Sequence, residues 1–90
     1  MIKILDFWAG WCYPCKIMEP VLSEVEKELA GKVAIEKINV DSNPVKAAEF
    51  DVMSIPTFVI VKDNREVDRL IGATSKNIFL NFVQKHLHEN

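Results

Sequence analysis

Two cysteines, Cys12 and Cys15, stand where a short apolar run gives way to a helical pattern, and this junction limits what the chain can build. Ile2 to Trp8 is broken only by Lys3 and Asp6, the pattern of a strand covered on both faces. From Pro14 the period changes. Ile17, Met18, Val21, Leu22, Val25 and Leu29 recur at helical spacing, with Glu24, Lys27 and Glu28 on the other side. Pro20 removes a hydrogen-bond donor inside this helix and should bend it, and Gly31 should end it. Cys12 therefore falls at a helix N-terminus, where free backbone N–H groups favour a thiolate over the ordinary thiol of pKa about 8.5. Cys15, almost one turn further in, faces the core and can attack back at Cys12 once a mixed disulfide has formed. Pro14 at the start of the helix removes an amide that would have gone unsatisfied.

Other uses of the pair are weaker. These are the only cysteines, whereas a secreted disulfide scaffold needs more of them, spread along the chain. A bridge across so small a loop adds little entropic stability. A structural zinc would lack ligands. The only histidines, His86 and His88, are an i, i+2 pair that points to different helix faces and suits the dipole at a helix end. What remains is a dithiol that opens and closes.

The rest of the chain alternates strands and helices. Val33 to Val40 reads as a strand, and Asp41-Ser42-Asn43-Pro44 opens a short helix through about Phe50. Thr57 to Val61 is a third strand, Lys62 to Arg65 a turn, and Glu66 to Ile71 a fourth strand whose charges suit a sheet edge. Thr74 or Ser75 caps a last helix that buries Ile78, Phe79, Phe82, Val83 and Leu87. The order is β-α-β-α-β-β-α, with the first two strands parallel and the last two a hairpin. Ninety residues, 49% of them apolar, support one core, so residues 1–90 are expected to be a single α/β domain. A net charge of −2 gives no reason to expect a nucleic acid or an anionic membrane as partner. Asp6 breaks the layout of a signal peptide, and no run is long enough to span a membrane, so a cytoplasmic monomer is expected.

The segments Asp6-Phe7-Trp8, Trp11-Cys12-Tyr13-Pro14-Cys15-Lys16, Ile55-Pro56-Thr57 and Gly72-Ala73 together resemble the thioredoxins, with consistent spacing from about Leu5 to the last helix. The resemblance implies a four-stranded mixed sheet of order 2-1-3-4 with helices on both faces, and reduction of protein disulfides. Cys12 would be the nucleophile and Cys15 the resolving thiol. Asp6 would be a buried carboxylate beneath them, its pKa raised by desolvation, exchanging a proton with Cys15. By the residue pattern alone, Asp6 could equally point outward at the strand end.

Lys37 would neighbour that carboxylate, although a lone strand lysine is ordinarily solvated. Pro56 would be a cis-proline opposite the dithiol, against a base rate of about 5% for X–Pro bonds. Ile55 would then offer its backbone to a substrate strand. Gly72 and Ala73 would line the same groove, where the lack of a side chain lets another backbone approach; a strand-to-helix turn also suits Gly72. Trp11, Tyr13 and Pro14 join the docking surface. Phe7, Trp8, Phe58 and Phe79 read as core packing, and Lys16 with the glutamates of the first helix as a solvated face. The implied enzyme needs no metal or organic cofactor. Its partners would be disulfide-containing protein substrates and a recharging reductase or glutathione.

The match has departures. Tyr13-Pro14 stands where thioredoxins carry Gly-Pro and glutaredoxins often Pro-Tyr. A glutathione-dependent, glutaredoxin-like enzyme is therefore an alternative reading. So is a binding module whose thiols are incidental, or an oxidase or isomerase of an oxidising compartment. Asn64-Arg65 replaces a Gly-containing turn. The chain begins at the strand carrying Asp6, without the preceding strand and helix of full-length thioredoxins. That leaves the Val33 to Val40 strand as an exposed edge, blunted by Glu36 and Lys37.

Overall fold

A computed structural model describes residues 1–87 of the chain. The elements are β1 (Ile2–Trp8), α1 (Tyr13–Glu28), β2 (Val33–Asn39), α2 (Pro44–Glu49), β3 (Thr57–Lys62), β4 (Arg65–Ile71) and α3 (Lys76–Leu87). They form one four-stranded sheet of order β2-β1-β3-β4, as expected. β1 runs parallel to β2, with Ile2 opposite Val33 and Asp6 opposite Lys37, and antiparallel to β3. The α1 crossover makes the first pairing parallel; β3 and β4 close as a hairpin.

The side-chain alternation of the strands divides the core into two layers. On one face Ile2, Ile4, Val33, Phe58 and Ile60 pack against Met18, Leu22 and Val25 of α1 and Phe79, Phe82 and Val83 of α3. The ring of Phe79 meets Phe58 edge-on at 5.0 Å and Phe82 at 5.8 Å. On the other face Leu5, Phe7, Ile38 and Val59 pack against Ala47 and Phe50, from α2 and its end. Phe7, Phe58 and Phe79 are fully buried, as expected of packing residues.

Local signals act where they were read. Ser75 caps α3, its Oγ accepting from the Ile78 amide at 3.2 Å. The β3–β4 turn is two residues long, with Asp63 (φ 54°) and Asn64 (φ 64°) both left-handed. This is the hairpin turn whose twist matches the flanking strands. At the end of α2, Asp51 (φ 52°) takes the left-handed stop position. The Val52 and Asp51 amides bond back to the Ala47 and Ala48 carbonyls. α1 runs unbroken through Pro20, and Gly31 (φ 83°) turns the chain towards β2.

Two expectations need correction. Ile17 and Ile78, assigned to buried helix faces, are exposed. Each stands to one side of the stripe that meets the sheet, since Met18 and Phe79, one residue further on, are fully buried. His86 stands in the last turn of α3, as expected, and does more than complement the helix end. It is buried, and its Nε2 lies 2.8 Å from Oδ2 of Asp68 on β4, pinning the last turn of α3 to the sheet. His88 lies outside the described residues. Truncating Phe79, which joins both helices to the sheet, removes the centre of the larger layer. Phe79→Ala is expected to cost about 3–5 kcal/mol, read as a lower urea midpoint with unchanged m-value.

Candidate active site

The polypeptide makes this site from the carboxyl ends of β1 and β2 and the loops that follow. Because the two strands are parallel, both loops emerge at the same end of the sheet. Cys12 is the N-cap of α1, and its Sγ accepts a hydrogen bond from the Cys15 amide at 3.2 Å. That amide is one of the donors a helix start leaves unsatisfied, and it is placed to hold negative charge on the sulfur. The two cysteines are joined as a disulfide, with Cα atoms 5.3 Å apart. Only 3% of Cys12 and 6% of Cys15 is exposed, whereas Trp11 and Tyr13 beside the pair are 70% and 72% exposed. The docking expectation for these two rings fits that exposure, and Pro14 between the cysteines is exposed as well.

Asp6 is buried, with 4% of its surface exposed. Its strand face is that of Ile2 and Ile4, so it points towards α1, which carries Cys15. Asp6, Trp8, Cys15, Glu19 and Lys37 line one cavity of about 20 Å³, the room of a single water. Burial pushes the Asp6 carboxyl up to about 6; Lys37 opposes the shift and Glu19 adds to it. Lys37 itself is exposed, and reaches this group only because the parallel register sets it opposite Asp6. Glu36, its neighbour, points to the α2 side and pairs with Lys3 and Lys46.

The Ile55–Pro56 peptide is cis, as expected. Ile55 packs with Trp8 and Val40 against Ala9, Cys12 and Cys15. The Gly72 amide donates to the Pro56 carbonyl at 2.8 Å, which brings the Gly72-Ala73 loop beside Pro56. Gly72 holds φ 93°, a conformation that other residues rarely adopt.

The structure also adds residues that the sequence reading passed over. Trp8, read as core, is half-buried. It lines the Asp6 cavity, and its Nε1 is buried with no hydrogen-bond partner among the described residues. It stands two residues from Asp6 on one strand, which is a legible signal of a shared face. Glu19, read as solvated, lines the same cavity; it is four residues from Cys15 on α1, the spacing of helical neighbours. Asp41 accepts a 2.9 Å hydrogen bond from the Trp11 indole. A groove of about 400 Å³ runs from Trp11 past Val40 and Ala47 to Val52, Met53, Ser54 and Ile55. No group of His, Cys, Asp or Glu among the described residues could hold a metal.

The Asp6 carboxyl binds its proton more tightly in the folded chain than in the unfolded one. Its contribution to stability is present at acid pH and is lost as the pH rises through about 6. At pH 7 and above the ionised group costs up to about 3 kcal/mol. Asp6→Asn is therefore expected to stabilise the oxidised protein by about 2–3 kcal/mol near neutral pH, with the advantage gone by about pH 4. Urea melts across this range check it; an advantage independent of pH would contradict desolvation as the cause.

Comparison with known proteins gives a consistent set of similarities. A family model described as Thioredoxin matches residues 1–85. The chain is 46% identical to a thioredoxin of Staphylococcus haemolyticus over 86 residues, covering 96% of this chain and 83% of the relative. With the same coverages, it is 45% identical to a thioredoxin of Staphylococcus saprophyticus and 44% to one of Staphylococcus aureus.

Proposed function

The chain belongs to the thioredoxin family and is a thiol-disulfide oxidoreductase that reduces protein disulfides; on that footing we propose how its residues divide the work and which partners they meet. Cys12, as thiolate, attacks one sulfur of a substrate disulfide. The substrate S–S bond breaks, a Cys12–substrate disulfide forms, and the first substrate thiolate leaves and takes a proton from solvent. Asp6 then accepts the proton of the Cys15 thiol. The Cys15 thiolate attacks Cys12 Sγ, the second substrate thiolate leaves, and both electrons have passed from the protein to the substrate. The single observation that carries this reading is the cavity shared by Asp6 and Cys15 directly behind a cysteine pair at a helix N-terminus.

Lys37 tunes Asp6 from the neighbouring strand. Trp11, Tyr13, Pro14, Ile55, Pro56, Gly72 and Ala73 form the surface that receives an extended substrate segment. The groove beyond Trp11 is lined by apolar residues and Ser54, with no lysine or arginine among its lining residues. That favours apolar protein segments over the two carboxylates of glutathione as the usual occupant. The pair of cysteines carries the electrons, with no resident metal or organic cofactor, and a separate reductase recharges it. Residues 1–90 act as one domain, as a monomer, in the cytoplasm. No described helix is long and apolar enough to cross a membrane.

The test has two parts. Cys12→Ser is expected to abolish reduction of a disulfide-linked protein, while Cys15→Ser accumulates the covalent Cys12–substrate complex; binding without covalent capture would point to a binding module instead. An equilibrium redox titration followed by tryptophan fluorescence is expected to give a value near about −270 mV. A value near about −180 mV would mean that the Tyr13-Pro14 pair has moved the protein towards isomerisation or glutathione-linked exchange.

A further inference from the structure

Glu19 and Lys37 line two cavities at once. The inner one holds Asp6, Trp8 and Cys15. The outer one is an open depression of about 260 Å³ bounded by Leu22, Ser23, Glu26 and Ile35. The two exposed, oppositely charged side chains thus stand on the boundary between the buried carboxylate and solvent, on the side of the molecule formed by α1 and β2. This rim is separate from the docking surface of Trp11, Ile55 and Ala73.

We propose that Glu19 controls proton exchange at Asp6, acting with Lys37 as an oppositely charged pair at the rim through which that carboxylate reaches solvent. The inference rests on the reading of Asp6 as the proton acceptor for Cys15. α1 presents Glu19 and the disulfide-bonded Cys15 to Asp6, β2 presents Lys37, and β3 presents the uncharged Phe58 opposite it. Glu26 lies further out, in the depression alone. A negative charge at the rim holds the proton on Asp6 and a positive charge releases it. The proton taken from Cys15 therefore leaves through the rim while substrate still covers the dithiol. Glu19 is in this sense a positioning residue: it acts on the sulfurs only through Asp6.

The test is a charge series on the full chain. The ionisation of Asp6 is followed by carboxyl NMR of the oxidised protein, and the rate of oxidation of the reduced protein by a small disulfide is followed against pH. Glu19→Gln should lower the Asp6 midpoint by about half a pH unit, and Glu19→Lys by about twice that. Lys37→Met should raise it, and Glu19→Asp should stay near wild type. The rate profile should move with the midpoint. Midpoints that ignore the charge at residue 19, or that move equally for Gln and Lys, would overturn the proposal. Asp6→Asn separates the two readings. If it leaves the rate profile unchanged, Asp6 is not the proton acceptor. If it alters the profile while the Glu19 series does not move, the rim proposal alone falls.

Discussion

The pleat of β1 decides which side chains meet the dithiol. Because successive residues of a strand point to opposite faces, Ile2, Ile4, Asp6 and Trp8 share one side and Leu5 and Phe7 the other. The first side is the one that α1 covers. A carboxylate and an indole at the end of that row are thereby carried under the helix whose first turn holds the cysteines. A shift of one residue in the register would turn Asp6 towards α2 and bring Phe7 beneath the sulfurs, and no rotamer change could undo it. Pairing on both edges, with β2 and with β3, is what holds this strand in its register.

The same placement sets stability against chemistry. A desolvated carboxyl is a poor choice for a core, and burial is the main cause of its raised pKa. The larger apolar layer of Met18, Val25, Phe58, Phe79 and Val83 sits next to it and supplies the compensating burial. The helix N-terminus works in the other direction, since the Cys15 amide it leaves free donates to Cys12 Sγ and favours charge there although Cys12 is buried. One end of the sheet thus holds both a carboxyl that burial makes harder to ionise and a thiol that the helix start helps to ionise.

Much of this was legible from the residues. Apolar runs, helical spacings and turn or cap residues located all seven elements, and Cys12 with Cys15 at a strand–helix junction identified the chemistry. The burial of Asp6 was not decidable from its own segment, because a strand-end aspartate is compatible with either orientation. It takes the crossover by α1, a tertiary fact, to cover that face. Glu19 is exposed and Trp8 packs on the core, as expected, but their place at the Asp6 cavity was missed for a related reason. A helix wheel or strand pattern separates apolar from polar residues, but a functional cavity draws on the polar border of one and the large aromatic of the other. Ile17 and Ile78 failed in the opposite sense: both are apolar, but each lies to the side of the row of buried residues on its helix, so the sheet does not cover it. His86 escaped because its partner, Asp68, is a strand away and no local pattern links them.

The hairpin turn at Asp63-Asn64 has a practical corollary. Val61 of β3 lies near Glu66 of β4 and opposite Lys3 of β1, so the turn projects from the end of the sheet remote from Cys12. Both turn residues are exposed and no catalytic side chain depends on them. A tether, label or inserted peptide grafted there would orient the molecule on a support with its cysteines facing outward, and the immobilised protein would remain open to large folded clients.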